Sequence, residues 1–178
     1  MYLRPYNKDT DFTYIKQWVT DSRTHAMWCA NLIPYPLSQE GFEATLEAHG
    51  EKWGDIAYVF VNHEDVPVGF FSYSVNEEGN FGFLKFIVVD NKLRGQGYGV
   101  KMLQHVREKF FAERDIDFIR LNVFDNNQAA RRCYEKAGFK ELVHKPESFP
   151  VGEERWGAVS YESGQKYWLT ESKISGGR

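Results

Sequence analysis

One segment of the chain combines an apolar strand pattern with three closely spaced glycines. Residues 86–99 read FIVVDNKLRGQGYG, so Gly95, Gly97 and Gly99 follow Arg94 and precede a stretch with helical periodicity. The first amides of a helix lack partners within it and lie at the positive end of its dipole, and glycines let phosphate oxygens approach them. The pattern predicts a pyrophosphate site. A plain turn also favours glycine, but does not require three beside an arginine.

Two common nucleotide-binding motifs do not fit this segment. A dinucleotide-binding G-x-G-x-x-G would need glycine at position 100 or 102, where the chain has Val100 and Met102. A Walker A motif ends in Gly-Lys-Ser or Gly-Lys-Thr, and the sequence contains neither. A nucleotide-dependent enzyme is therefore disfavoured.

A further polar segment follows in residues 122–139, which read NVFDNNQAARRCYEKAGF. Asn127 lies where a helix is predicted to begin, so its side chain can cap free amides or bind a ligand. Tyr134 comes seven residues later, two helical turns on, and so shares a helix face with Asn127. From the residues alone, Tyr134 is more simply interpreted as a core aromatic packed with Ala130 and Ala137.

The patterns around these segments predict strands that alternate with helices. Strands are predicted at 56–61, 68–75, 81–89, 118–124, 139–144 and 155–162. Helices are predicted at 12–19, 42–49, 97–114 and 126–137, with an aromatic loop between the first two. Gly138 would end the last helix in a left-handed turn. This order predicts a mixed sheet flanked by helices.

Composition narrows the class of protein. A chain of 178 residues with 42% hydrophobic content can build one domain, expected over 1–171, with a flexible tail at 172–178. The net charge of -3 and pI near 6.0 argue against nucleic acid or a membrane surface as a partner. Cys29 and Cys133 lack zinc or disulfide spacing, and there is no apolar leader or long uncharged stretch. We therefore expect a cytoplasmic protein without a bound metal.

The glycine-rich segment at 86–99 and the polar segment at 122–139 together resemble the signatures of the GNAT superfamily of N-acetyltransferases. The glycine-rich segment matches [QR]-x-x-G-x-[GA] through Arg94, Gly97 and Gly99, and the segment at 122–139 is similar to N-x-x-A followed by a tyrosine and Gly-Phe. They cover about residues 81–140 in the family's order. The resemblance implies a GNAT-like α+β fold whose central sheet is mixed, mostly antiparallel and about seven-stranded.

The resemblance also implies acetyl-CoA as the cosubstrate and assigns roles to both segments. Backbone groups of Ile87, Val88 and Val89 would bind the pantetheine arm, and an amide near Val89 would polarise the thioester carbonyl. Asn127 would also contact the pantetheine, and Tyr134 would be the general acid for the leaving thiolate. The residues whose backbone would hold the pyrophosphate are Arg94, Gly95, Gln96, Gly97, Tyr98, Gly99 and Val100.

The acceptor and the general base are left unassigned by this resemblance. Some family members carry a glutamate on the strands where this chain has Lys85 and Asn122. Other carboxylates near these strands are expected to be solvated surface acids: Glu77, Glu78 and Glu154. Aromatic residues that could line an acceptor pocket, or belong to the core, are Trp28, Tyr35 and Phe42. The five histidines show no metal-binding spacing and are interpreted as structural or surface residues.

The predicted function is acetyl transfer from acetyl-CoA to a primary amine of a small molecule or a protein. A homodimer is left open. The alternative is a binding module, an acyl-CoA sensor or scaffold on the same fold without turnover. The missing strand carboxylate permits this alternative, and Tyr134 argues against it.

Overall fold

Residues 1–165 are described by the computed structural model, and they form seven strands and five helices. The strands are β1 (Tyr2–Pro5), β2 (Ile56–Val61), β3 (Pro67–Asn76), β4 (Phe81–Val89), β5 (Phe118–Phe124), β6 (Lys140–Val151) and β7 (Glu154–Gly164). The helices are α1 (Phe12–Trp18), α2 (Ser22–Cys29), α3 (Gln39–Trp53), α4 (Tyr98–Glu113) and α5 (Gln128–Lys136). The predicted tail at 172–178 and the predicted domain end at 171 lie outside the described residues.

All seven strands belong to one sheet with the order β1-β2-β3-β4-β5-β7-β6. Neighbouring strands are antiparallel except β4 and β5, which are parallel. A parallel pair needs a crossover connection, and α4 supplies it. The predicted mixed, mostly antiparallel sheet is therefore confirmed.

Side chains that alternate along the strands build a separate core on each face of the sheet. On β2, Val59 and Val61 pack with α1 and α3, whereas Phe60 between them packs with α4. This follows from the period of two along a strand. Helices α1–α3 thus cover one face, and α4 and α5 cover the other.

Several elements differ from the sequence prediction, among them α3, which spans Gln39–Trp53 rather than 42–49. The short edge strand β1 was not predicted, and its four residues are held by antiparallel pairing with β2 rather than by a strong pattern of their own. The predicted aromatic loop contains α2, whose first turn is capped by the Asp21 carboxylate accepting from the Thr24 amide at 2.9 Å. Strand β6 extends to Val151, beyond the predicted 144, and is an exposed edge strand without apolar alternation.

The end of α5 depends on a glycine and a buried arginine. Gly138 has φ +87, as predicted for a left-handed turn, and a Cβ there would lie 2.5 Å from Nη1 of Arg107. Arg107 Nη1 donates to the Ala137 carbonyl at 2.7 Å, which satisfies an acceptor at the helix end. Residue 138 must therefore adopt a left-handed backbone conformation and also lack a side chain that would contact Arg107.

We predict that Gly138→Ala lowers the free energy of unfolding by more than Gly152→Ala. Gly152 also has positive φ, but no atom of residues 1–165 lies within 4 Å of a Cβ placed there. Its substitution should cost only the left-handed strain, about 1–2 kcal/mol. Gly138→Ala must also displace the Arg107 guanidinium, so it should lower the free energy of unfolding further. Urea denaturation measures both losses. Equal losses in the two variants would contradict this account.

Candidate active site

Strand β4 carries a β-bulge at Phe86, which has φ +52. Opposite it, Phe70 pairs with Val88 and Ser72 pairs with Lys85, so two steps on β3 face three on β4. The extra residue changes which face the side chains occupy: Leu84 packs toward α4, whereas Phe86 packs toward α1–α3. The Phe86 carbonyl accepts a hydrogen bond from Trp28 Nε1 at 2.8 Å.

Beyond the fourth paired residue, β4 and β5 separate. Phe81 to Leu84 pair with Phe118 to Leu121, and the parallel ladder stops there. After that point β5 continues against β7, and β4 continues against β3. Within residues 1–165, the edge of β4 at residues 87–89 therefore has no strand partner on the β5 side, and its backbone groups there are available to bind a ligand. Ile87, Val88 and Val89 lie on this edge, with the Val88 side chain buried.

The glycine-rich loop lies directly after this free edge. Gly95 and Gly97 have φ +77 and +84, and in the described part of the chain no atom lies within 4 Å of a Cβ placed at either position. Gly97 is the N-cap of α4, and the first intrahelical bond runs from the Lys101 amide to the Gly97 carbonyl at 3.0 Å. The amides of residues 98–100 consequently have no partner within the helix. An exposed loop of this kind suits an anion.

Gly99 and Arg94 position the loop against the rest of the protein. A Cβ on Gly99 would lie 2.8 Å from the Cys133 sulfur, so this glycine lets α4 begin in close contact with α5. Arg94 donates to the Trp18 carbonyl at 3.2 Å and thereby ties the loop to the end of α1. Of the three glycines, Gly95 and Gly97 meet the backbone requirement of the loop, and Gly99 meets a packing requirement.

Asn127 and Tyr134 are brought to the α4 side of the sheet by α5. The Asn127 Oδ1 accepts from the Ala130 amide at 3.2 Å, which confirms the capping role. Within residues 1–165 its Nδ2 makes no hydrogen bond and remains a donor. The Tyr134 ring is buried beside Tyr161 and Phe139, at centroid distances of 5.8 and 6.4 Å. Its hydroxyl has no hydrogen bond to any residue in that range.

Burial raises the pKa of Tyr134 above its ordinary value, with smaller contributions from Cys133 and Tyr161. The hydroxyl is therefore protonated throughout the physiological range and can act as a hydrogen-bond donor. The core interpretation of Tyr134 and its predicted catalytic role are compatible, because a ring can fill the core while its hydroxyl reaches a ligand.

A cavity of about 540 Å³ opens where β4 and β5 separate. This volume is in the range of small-molecule sites. The aromatic residues that line it are Trp28, Trp53, Phe81, Phe83, Phe86, Phe124 and Phe149. Its polar lining residues are Asn76, Ser74, His49, Lys85 and Asn122, and none of the described lining residues is a carboxylate.

Only one of the three aromatic candidates for the acceptor pocket lies in the cavity wall. Trp28 lines the cavity, whereas Phe42 is fully buried in the core beneath α1–α3. Tyr35 is half exposed and packs on the buried His25. The carboxylates Glu77, Glu78 and Glu154 are on the surface as expected, and Glu154 pairs with Arg23 at 2.7 Å.

A cluster of polar side chains at the cavity wall was missed by sequence reasoning. The Asp55 carboxylate, 1% exposed, contacts Lys85 Nζ at 2.8 Å and His49 Nδ1 at 3.3 Å. These three residues come from α3, the loop before β2, and β4, so no short motif contains them. Burial lowers the pKa of His49 below its ordinary value, and this outweighs the opposing hydrogen bond to Asp55.

A parallel strand pair that separates, joined by a helix that starts at an open glycine loop, fits the class of CoA-dependent acyltransferases that the two sequence segments resemble. The chain belongs to the acetyltransferase (GNAT) family, whose model matches residues 7–139. The resemblance drawn from the two sequence segments is thus confirmed.

Solved structures with the same fold include spermidine N-acetyltransferases from Vibrio cholerae. The complex of that enzyme with CoA and spermine superposes with a TM-score of 0.78 at 18% identity, over 94% of this chain and 96% of the other. A spermidine/spermine N-acetyltransferase from the same organism, in complex with manganese ions, gives 0.72 at 18% identity, over 96% of this chain and 95% of the other. Identities this low establish the shared fold alone.

Two kinds of feature are absent from residues 1–165. No group of three or more His, Cys, Asp or Glu side chains there is arranged to hold a metal ion. No helix in the same range has the length and apolar character needed to cross a bilayer.

We predict that CoA raises the melting temperature and that Gly97→Glu abolishes the effect. Ligand at 100 times its Kd adds about 2.7 kcal/mol of stability, which a thermal shift assay detects readily. Glutamate places a negative charge beside the free amides where the pyrophosphate would bind. Gly97→Gln is the control, because it has the same bulk and backbone strain without the charge, and it should keep a measurable shift. An unchanged wild-type melting temperature would overturn the CoA assignment.

Proposed function

We propose that the protein acetylates a primary amine of a small molecule, using acetyl-CoA bound between β4 and β5. The observation that carries this proposal is the separation of these strands. It leaves a free β4 edge that leads to an open amide loop at one end and adjoins an apolar cavity. A thioester bound along that edge could meet an amine bound in the cavity.

Each part of acetyl-CoA has suitable protein groups in this arrangement. The amides of residues 98–100, with the loop 94–97, would bind the pyrophosphate, since they are free and lie at a helix N-terminus. The free backbone of residues 87–89 would bind the pantetheine arm as an added strand would. The unengaged Nδ2 of Asn127 is a donor for a pantetheine carbonyl.

Acetyl transfer would proceed by attack of a neutral amine on the thioester carbonyl. A β4 amide near Val89 would stabilise the oxyanion, and the C–S bond then breaks to release a thiolate. Tyr134 would donate its proton to this sulfur and regain one from the acylated nitrogen. Because burial disfavours a tyrosinate, the donation and the recovery should be closely coupled.

The cavity supports an amine attached to an apolar or aromatic body. Several aromatic side chains line it, and Lys85 lies in its wall. The structural neighbours from Vibrio cholerae are named for spermidine, and one is bound to spermine. A polyamine would bring extra positive charges into the cavity, where none of the described lining residues is a carboxylate and the nearby Asp55 is already paired with Lys85. We also propose a cytoplasmic location, from the composition, and leave homodimer formation as a prediction.

We predict that an arylalkylamine is a better acceptor than a polyamine. The value of kcat/KM for 2-phenylethylamine should exceed that for spermidine by at least about tenfold, because one unpaired charge in an apolar site costs more than about 1.4 kcal/mol. Release of free thiol measures both rates. Preference for spermidine would contradict the acceptor class. Absence of turnover with every amine, while CoA still binds, would favour the acyl-CoA sensor.

We predict that Tyr134→Phe lowers turnover by about 10²–10⁴-fold, the usual loss on removing a general acid, and leaves CoA binding unchanged. Tyr73→Phe is the control, since it removes a hydroxyl that likewise has no hydrogen-bond partner within residues 1–165 and that has no role in the proposed mechanism. That variant should keep full turnover. Wild-type turnover in Tyr134→Phe, measured with its melting temperature, would remove Tyr134 from the mechanism.

A further inference from the structure

His49 lies in the cavity wall with one ring nitrogen engaged and the other available. Its Nδ1 is 3.3 Å from Asp55 Oδ2. The ring is held between Trp53 and Phe86, at centroid distances of 4.6 and 5.1 Å. Within residues 1–165 the Nε2 atom makes no hydrogen bond, and the residue is among those that line the cavity. Phe86 is the bulge residue, so His49 is adjacent to the point where β4 and β5 separate.

Contacts with Lys85 and Ser72 fix the position of the Asp55 carboxylate. Both of its oxygens contact Lys85 Nζ, at 2.8 and 2.9 Å, and Ser72 Oγ donates to Oδ2 at 3.4 Å. A fixed carboxylate beside Nδ1 favours the tautomer in which Nδ1 carries the proton. The lone pair of Nε2 then accepts no hydrogen bond within residues 1–165. This is the arrangement by which a carboxylate orients a histidine base.

We infer that His49 is the general base of the acetyl transfer, and that Asp55 is the residue that positions it. This inference rests on the proposed function. An amine enters as an ammonium ion, and only ~1 in 10³ molecules of ordinary pKa are neutral at pH 7. The N–H bond of the ammonium breaks, Nε2 gains the proton, and the nitrogen keeps the electron pair that attacks the thioester. His49 later releases this proton to water, while the second proton leaves through Tyr134 to the thiolate.

Burial, reinforced by two lysines, lowers the pKa of His49 and so favours a neutral imidazole at neutral pH. Burial among Trp53, Phe86 and the cavity wall is the largest influence and lowers its pKa. Asp55 opposes that effect, whereas Lys85 and Lys52 reinforce it. A protonated His49 cannot act as a base, so kcat/KM should fall as the pH decreases through a pKa below 6.5. The apolar cavity also lowers the pKa of the amine and so reduces the difference between donor and base.

The test is the pH dependence of kcat/KM for wild type, His49→Gln and His144→Gln. His49→Gln should lower kcat/KM by about 100-fold at pH 7, and the deficit should shrink as the pH approaches the pKa of the amine, where no base is needed. His144→Gln is the matched control, because His144 Nε2 forms a comparable contact with Asp125 at 3.1 Å but lies outside the cavity lining. It should keep the wild-type profile.

Asp55→Asn tests the positioning role. It should reduce kcat/KM less than His49→Gln does and shift the acid limb, because the ring loses its orienting carboxylate. Should either cavity variant fail to fold, ¹⁵N NMR of wild-type His49 replaces it, with an unprotonated Nε2 at pH 7 as the expected result. A protonated Nε2 would overturn the inference.

The experiments distinguish failure of the general-base role of His49 from failure of the proposed acetyl transfer. A folded His49→Gln variant with activity within about threefold of wild type at pH 7, or with a pH-independent deficit, would overturn the role of His49 and leave acetyl transfer intact. Failure of wild type to turn over any amine would instead overturn the proposed function itself.

Discussion

The bulge at Phe86 is the constraint on which the site depends. A non-glycine residue with φ +52 costs about 1–2 kcal/mol, and the protein meets that cost with a buried ring and a hydrogen bond from Trp28. The extra residue turns β4 away from β5 after four paired positions. Pairing between β4 and β5 ends at Leu84 and Leu121, and continued pairing would occupy the edge of β4 at residues 87–89.

The site draws on both faces of the sheet because the opening lies between two central strands. Helix α4 begins at the glycine loop and, with α5, brings free amides, Asn127 and Tyr134 to one side. Helices α2 and α3 bring Trp28 and His49 to the other. Under the proposed function, the phosphates and thiolate of the donor would lie on the α4 side, and the acceptor amine and its proton would lie in the cavity.

Burial favours the uncharged form of both Tyr134 and His49, which leaves a proton on the tyrosine and removes one from the histidine. Burial keeps Tyr134 protonated, as a donor to a thiolate must be, and keeps His49 neutral, as a base must be. Both shifts come from the same cause, the cost of placing charge in a medium that solvates it poorly. The Asp55–Lys85 ion pair places the one buried carboxylate of the cluster opposite a cation, so the cavity itself presents little negative charge.

The sequence alone determined the local features. A continuous apolar run predicted β4 and alternation predicted β5, both with their observed bounds, and helical periodicity placed α4 and α5. The glycine spacing predicted an open loop before α4, because such signals are confined to short stretches. The roles of the residues predicted to bind acetyl-CoA remain predictions.

Tertiary structure decided the features that join distant parts of the chain. The bulge arises from pairing with β3, β1 exists only through pairing with β2, and His49, Asp55 and Lys85 meet because three separate elements converge. No local pattern encodes such contacts, since residues distant in the chain become neighbours only when the sheet and its helices pack.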